Sequence, residues 1–180
     1  MSGKKYTLSS GKELYVFDDM LPLQSRDYLY DFVSSSKFVL GWMDGNTQEA
    51  RNHSFLHSNF SDEDNSNAGL LDFYRTSELA ELIAGLSVVK SVVNLSVSSD
   101  VHFVHAHPEK LVVLYYANLV WEPHWYGETV FFSEDLKNIE LALPYTPGRI
   151  IAFDASIPHA IRPQSIAAEK HRFTYTMVFD

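Results

Sequence analysis

A chain of 180 residues that is 46% hydrophobic and 14% aromatic carries enough apolar surface for one domain with its own core, and too much for a disordered segment. Eight histidines and no cysteine exclude a disulfide scaffold, a thiolate zinc centre, an iron–sulfur cluster and a cysteine nucleophile, so any metal must be held by imidazole and carboxylate. Twenty-three acidic residues against fourteen Lys and Arg give a net charge of -9, which argues against a general nucleic-acid backbone binder because counterion release needs a basic surface.

The N-terminal stretch from Met1 to Lys12 is polar and has no apolar run behind its lysines. It predicts neither a secretion signal nor a membrane span, and with the lack of cysteine it points to a cytoplasmic protein. Glu13 to Asp18 alternates loosely and ends in Asp18-Asp19, a strand running into a turn. From Leu23 the residues Tyr28, Leu29, Phe32 and Val33 recur at helical spacing as far as the serines 34–36, which predicts an amphipathic helix packed on a sheet. Residues 41–68 are the least ordered by composition, and the acidic run from Ser58 to Ala68 predicts a mobile surface loop. A second helix is expected behind Thr76 or Ser77, burying Leu79, Leu82 and Ile83 and closing at Gly85.

Beyond Val88 the texture changes to short β-rich runs at Val88 to Val97, Leu111 to Leu119, Thr129 to Phe132, Arg149 to Phe153 and Phe173 to Phe179. Turn signals such as Thr146-Pro147-Gly148 separate them. The pattern predicts an α+β, mainly β, fold: an antiparallel jelly roll (double-stranded β-helix) with its core at about 88–180 and N-terminal helices buttressing one sheet. With no repeat and no linker, residues 1–180 are expected to form a single domain.

His105 and His107 lie two residues apart, so in a strand they project from one face and make half of a metal site. His159, in the turn Ile157-Pro158-His159, returns to the same mouth in a jelly roll, and a facial set of three ligands keeps positions open for substrate and oxygen. The plainer alternative is that a bare His-X-His arises by chance and these histidines are ordinary core or surface residues. His53, His57, His102, His124 and His171 are assigned such structural or surface roles.

From Val93 to Phe179 the sequence resembles the iron(II)/2-oxoglutarate dioxygenases of the prolyl 4-hydroxylase-like group, and looks closest to phage-encoded members. The matching pieces run in order: Val93-Asn94-Leu95, the metal-binding position His105-Ala106-His107, the strand Tyr115-Tyr116-Ala117-Asn118, the turn Trp125-Tyr126-Gly127-Glu128-Thr129, Pro147-Gly148-Arg149 with Phe153, Ile157-Pro158-His159 with Arg162-Pro163, and Arg172-Phe173-Thr174. Phe17-Asp18-Asp19-Met20-Leu21 looks like the opening of these domains.

The resemblance implies iron(II) as metal, 2-oxoglutarate as co-substrate and O2 as oxidant, with His105 and His159 as metal ligands. It puts Arg172 at the position that grips the distal carboxylate of 2-oxoglutarate, a role suited to a planar guanidinium, with hydroxyls of Thr174 and Tyr116 as further donors. Where the family has aspartate this chain has His107, so the expected metal set is His105, His107 and His159, all neutral. Three other arrangements stay open: Asp100-Val101-His102 read in reverse order, Glu109 if the chain bulges after Pro108, or a non-coordinating His107 as in halogenating members.

The implied reaction hydroxylates an unactivated C–H bond with succinate and CO2 as co-products. Its leading substrate is a prolyl residue of a peptide or protein, followed by a free amino acid or other small metabolite. Trp125 and Tyr126, with Trp121 and His124, are candidate substrate contacts, the alternative being an aromatic turn packing its own sheet. The loop from Ser58 to Ala68 falls where a substrate-covering lid is expected. A differently metallated oxygenase and a catalytically silent jelly-roll binding module are the competing classes; neither a nucleic-acid nor a membrane partner is expected. A phage-encoded member would work in the host cytoplasm.

Overall fold

The computed structural model of the protein describes residues 3–45 and 47–180. In chain order the strands are β1 (Lys4–Thr7), β2 (Glu13–Phe17), β3 (Val39–Trp42), β4 (Phe55–Asn59), β5 (Val88–Ser96), β6 (Leu111–Tyr116), β7 (Thr129–Phe132), β8 (Ile139–Leu143), β9 (Ile150–Asp154), β10 (His159–Ile161) and β11 (Arg172–Phe179). The helices are α1 (Leu23–Ser34), α2 (Gln48–Arg51), α3 (Asp62–Ala68) and α4 (Leu70–Thr76). Two antiparallel sheets result, one ordered β1-β2-β9-β6-β11-β5-β4-β3 and one ordered β10-β7-β8.

The period-2 alternation of the long strands creates two cores. On β11, Phe173, Tyr175, Met177 and Phe179 join Val113, Tyr115, Ile150 and Ala152 on the outer face of the large sheet, covered by Leu29 and Val33 of α1 and Leu70 and Tyr74 of α4. The residues between them point inward, where Val178, Val112, Leu114, Tyr116, Ile151 and Phe153 meet Phe131 and Leu143 of the small sheet. All eight residues of β11 are buried, because the strand is central and both faces are covered. Register then fixes the polar inner row: Arg172 lies opposite Ser96, and Thr174 lies between Tyr116 and Asn94.

The predicted strands at 13–18, 88–97, 129–132, 149–153 and 173–179 are present as strands of closely similar extent, and the run at 111–119 is a strand as far as Tyr116. Two expectations fail. Residues 58–68 are no loop: Ser58 and Asn59 end β4, and the acidic run forms α3, started by a capping box in which Ser61 and Asp64 satisfy each other's backbone N–H groups. The buried Asn65 side chain accepts hydrogen bonds from Ser91 Oγ and Tyr175 Oη, both at 2.6 Å, and so ties α3 to the outer face of the large sheet, away from the inner face. That placement also removes the lid. The helix expected behind Ser77 is a single 3₁₀ turn, Glu78–Glu81, capped by Ser77 as predicted; the α-helix lies before it, as α4.

Residues 101–107 run beside β10 as a strand reduced to one bridge. His105 N donates to His159 O at 3.0 Å, His159 N donates to His105 O at 2.9 Å, and His107 N donates to Ala155 O at 2.8 Å. The segment is thus extended through its two histidines, which preserves their common face without a full strand.

Candidate metal centre and co-substrate pocket

The bridge between His105 and His159 brings residues from two distant segments side by side, and the alternation from His105 to His107 adds the third ring. One ring nitrogen from each of His105, His107 and His159 lies within 4.8 Å of the others. Ring centroids are 4.5 Å apart for His105 and His159, 5.1 Å for His105 and His107, and 5.3 Å for His107 and His159. His105 Nδ1 is 3.0 Å from Phe103 O and His159 Nδ1 is 2.8 Å from Ile157 O. A carbonyl only accepts, so each Nδ1 carries the hydrogen and each Nε2 is left with the lone pair that a metal requires. Burial, reinforced by His105 and Lys90, depresses the His107 pKa to about 4, and burial with His105 holds His159 well below the ordinary histidine value. Both rings are therefore neutral at neutral pH, the form that binds metal.

Among the described residues this cluster contains no carboxylate. Glu109 is not part of it, and His102 is turned to another task. Its Nδ1 bonds Asp44 Oδ2 at 3.0 Å and its ring packs edge-on against Phe55 at 4.7 Å.

Arg172 is wholly buried on the inner face. Its Nε donates to Gly127 O at 3.1 Å, its Nη1 donates to Thr174 Oγ1 at 2.5 Å, and its Nη2 has no partner. The guanidinium carbon sits 5.2 Å from the Tyr116 ring centroid and 4.7 Å from that of Tyr145. Among the described residues no carboxylate forms an ion pair with it, and burial lowers its pKa from the ordinary arginine value against the opposing pull of Tyr116, Tyr145 and, more weakly, Glu128. Tyr116 Oη shares a 2.6 Å hydrogen bond with Thr129 Oγ1. A buried cation with a free N–H fork is costly alone and suits an anionic guest. The three convergent imidazoles fit a divalent metal, and the open fork of Arg172 fits a carboxylate.

Several supports of this pocket are given their role only by the fold. Tyr145 stacks on Tyr116 at 4.3 Å, and its hydroxyl lies 2.7 Å from Asn118 Oδ1 and 2.6 Å from Phe173 O, pinning the start of β11. Gly127 has φ +85°, and a Cβ there would come within 3.2 Å of Arg172 Cδ. Asp44, a buried carboxylate beside His105, falls in the stretch whose composition suggested least order. Trp125 is buried edge-on against Trp121 at 5.3 Å, so its ring serves packing, and Tyr126 beside it is exposed. A cavity of 240 Å³ opens instead among Trp42, Met43, Gly45, Lys90, His105 and His107. A larger one of 690 Å³, between α1 and the α3–α4 segment, has no ionisable lining residue apart from Tyr28 and lies on the outer face.

No protein-family model and no curated protein matches the sequence. Solved structures do. A prolyl hydroxylase from Trichoplax adhaerens, in complex with a peptide fragment of the hypoxia inducible factor oxygen degradation domain, superposes at TM-score 0.68 with 14% identity, over 92% of this chain and 82% of that one. The fold is that of the 2-oxoglutarate/iron(II) oxygenases. A Pseudomonas putida prolyl-4-hydroxylase matches at TM-score 0.64 and 17% identity over 92% of this chain and 91% of its own. HygX from Streptomyces hygroscopicus, with nickel and 2-oxoglutarate bound, matches at 0.65 and 8% over 92% and 82%. The predicted jelly roll with helices on one sheet is thus the architecture observed, and Phe131 and Phe153, which pack against His159, belong to the same inner core as Tyr116, the ring beside Arg172. Among the described residues no helix is long and apolar enough to cross a membrane.

Proposed function

We propose that this chain is an iron(II)- and 2-oxoglutarate-dependent oxygenase that hydroxylates an unactivated C–H bond. The observation that carries the reading is Arg172: a fully buried guanidinium with a free Nη2 and, among the described residues, no carboxylate partner, in the same interior as three convergent imidazoles. In this reading His105, His107 and His159 hold the metal. Arg172 receives the distal carboxylate of 2-oxoglutarate on its open fork, with Thr174 fixing the guanidinium plane and Tyr116 flooring it. When bound, the metal and co-substrate would supply the O2 chemistry, one oxygen atom going to succinate with loss of CO2 and the other to the substrate as hydroxyl. The protein's own work is orientation and exclusion of water: Tyr145 and Asn118 anchor Arg172 through β11, and Phe131 and Phe153 dry the ground beside His159.

The cavity among Trp42, Lys90, His105 and His107 is where the substrate enters, and its 240 Å³ accepts one residue-sized group. A prolyl residue of a peptide is the favoured substrate, supported by the prolyl hydroxylases among similar structures, one of them holding a peptide. Participation of β1 and β2 in the same sheet as β11 supports residues 1–180 acting as one domain.

Anaerobic addition of iron(II) and 2-oxoglutarate is expected to produce the weak visible charge-transfer band of the chelate, absent in Arg172→Met. With O2, succinate release should rise on presentation of prolyl peptides above free amino acids. Failure to form the band or succinate in the wild-type protein would refute the oxygenase; succinate release only with free metabolites would move the substrate class alone.

A further inference from the structure

Asp44 lies just beyond the end of β3, in the segment whose composition suggested least order, yet only 7% of its surface is exposed. A carboxylate this buried needs compensation. Oδ2 accepts from Phe103 N at 3.2 Å and bonds His102 Nδ1 at 3.0 Å, while Oδ1 lies 3.8 Å from Nδ1 of His105. No Lys or Arg pairs with it among the described residues. The three groups it faces all belong to the segment that carries His105, and that ring donates Nδ1–H to the carbonyl of Phe103 with Asp44 Oδ1 3.8 Å from the same nitrogen. The carboxylate is not in the cluster of convergent nitrogens, so it stands behind a ligand and not among the ligands.

Three imidazoles give a divalent cation no negative charge. We propose that Asp44 is the counter-ion of the metal centre, a positioning residue that delivers through the His105 ring the negative charge that the ligand set lacks; this rests on the metal-binding reading above. A carboxylate beside Nδ1–H polarises the imidazole and raises the basicity of Nε2, strengthening its bond to a cation. It also favours the more highly charged oxidation state of a redox metal. His102, held by Asp44 on one nitrogen and packed edge-on against Phe55, fixes the carboxylate at this spot. Its other nitrogen, Nε2, is buried without a partner.

The test is anaerobic calorimetric titration of the metal-free protein with iron(II), paired with the iron(III)/iron(II) midpoint potential of the loaded protein. Asp44→Asn keeps size and hydrogen-bonding capacity but removes the charge. It is expected to weaken iron(II) binding about 10- to 100-fold and to raise the potential. His102→Gln, which loosens the anchor but keeps the charge, is expected to stay within about threefold of wild type, because the carboxylate behind the His105 ring remains. An Asp44→Asn protein that binds iron(II) like wild type overturns the proposal. So does an equal loss in both variants, or an Asp44→Asn chain that does not fold, since either makes the residue a loop anchor only. Failure of the wild type to bind iron(II) would instead overturn the oxygenase reading, so the two outcomes are distinguishable.

Discussion

Replacing Arg172 with Met separates stability from ligand binding. The guanidinium loses two hydrogen bonds, to Gly127 O and Thr174 Oγ1, and two ring contacts, with Tyr116 and Tyr145. Hydrogen bonds to a charged group are worth about 1.5–3 kcal/mol each, and cation–ring contacts about 0.5–2 kcal/mol each. Against them stands a desolvation penalty of several kcal/mol for a buried ion, here with one N–H edge unsatisfied. The terms nearly cancel, and the straight methionine stem refills most of the space. The metal-loaded variant without co-substrate is therefore expected to melt within about 4 °C of wild type, since 1 kcal/mol moves Tm by about 2–4 °C at this size. Co-substrate behaves differently. At a hundred times its Kd, 2-oxoglutarate stabilises the native state by about 2.7 kcal/mol, a rise of about 5–11 °C in wild type, and this rise should vanish in Arg172→Met. Scanning fluorimetry of both manganese-loaded proteins over a 2-oxoglutarate series reads both quantities. A variant that retains the ligand shift places the carboxylate elsewhere; one that melts more than about 10 °C lower without ligand means that Arg172 is an ordinary structural cation, worth the 3–5 kcal/mol of a broken buried pair.

Gly127→Ala forces a side chain onto a φ of +85° and to 3.2 Å from Arg172 Cδ; it should cost about 1–3 kcal/mol and weaken 2-oxoglutarate binding with iron(II) affinity unchanged, so equal titrations in both proteins would refute the contact. Asn65→Ala removes the acceptor shared by the Ser91 and Tyr175 hydroxyls and leaves them only each other beneath α3; at about 1–3 kcal/mol for one orphaned group, Tm should fall by at least about 2 °C with metal affinity intact, and a metal effect would mean that α3 reaches the site after all. His107→Asp restores an anion to the ligand set and should retain iron(II) binding where His107→Ala loses it; two variants with wild-type affinity would show that the ring does not coordinate. For the metal-free protein, His107 titrates at about 4 when folded and near 6.5 when unfolded. Between those values the unfolded chain binds more protons, so stability is full above pH 6.5 and declines as pH falls toward 4. The groups facing it are His105 and Lys90, which lower its pKa, and Glu109 and Asp44, which raise it. Tm measured across this range should fall less steeply in His107→Gln, and equal slopes would refute the assignment.

The C-terminal half was legible because its physics is local. Strands such as Thr129–Phe132 and Arg172–Phe179 announce themselves by β-branched and aromatic alternation, and the same alternation places Arg172, Thr174 and Tyr116 on one inner face. The segment from Val39 to Ala68 was not legible, because its order comes from partners distant in sequence. β3 and β4 exist as extensions of the edge of β5, and the polar helix α3 is stabilised by its capping box and by Asn65 reaching Ser91 and Tyr175. Composition alone reads such a segment as solvated. The triad shows both sides. The spacing of His105 and His107 was visible, but their meeting with His159 depends on a single two-bond bridge that no periodicity marks.

The substitution of histidine for the expected aspartate carries the same lesson for chemistry. A ligand position reports which atom reaches the metal, whereas the charge of the site is a sum over everything buried around it. Asp44 lies 61 positions before His105 in the chain, and only the fold, with Oδ1 3.8 Å from Nδ1, brings it into that sum. A neutral ligand set read from sequence therefore does not imply a neutral protein environment for the metal. The charge at position 107 and the charge at position 44 should be coupled: in a His107→Asp background, where the anion is already a ligand, removing Asp44 should weaken iron(II) binding less than it does in wild type.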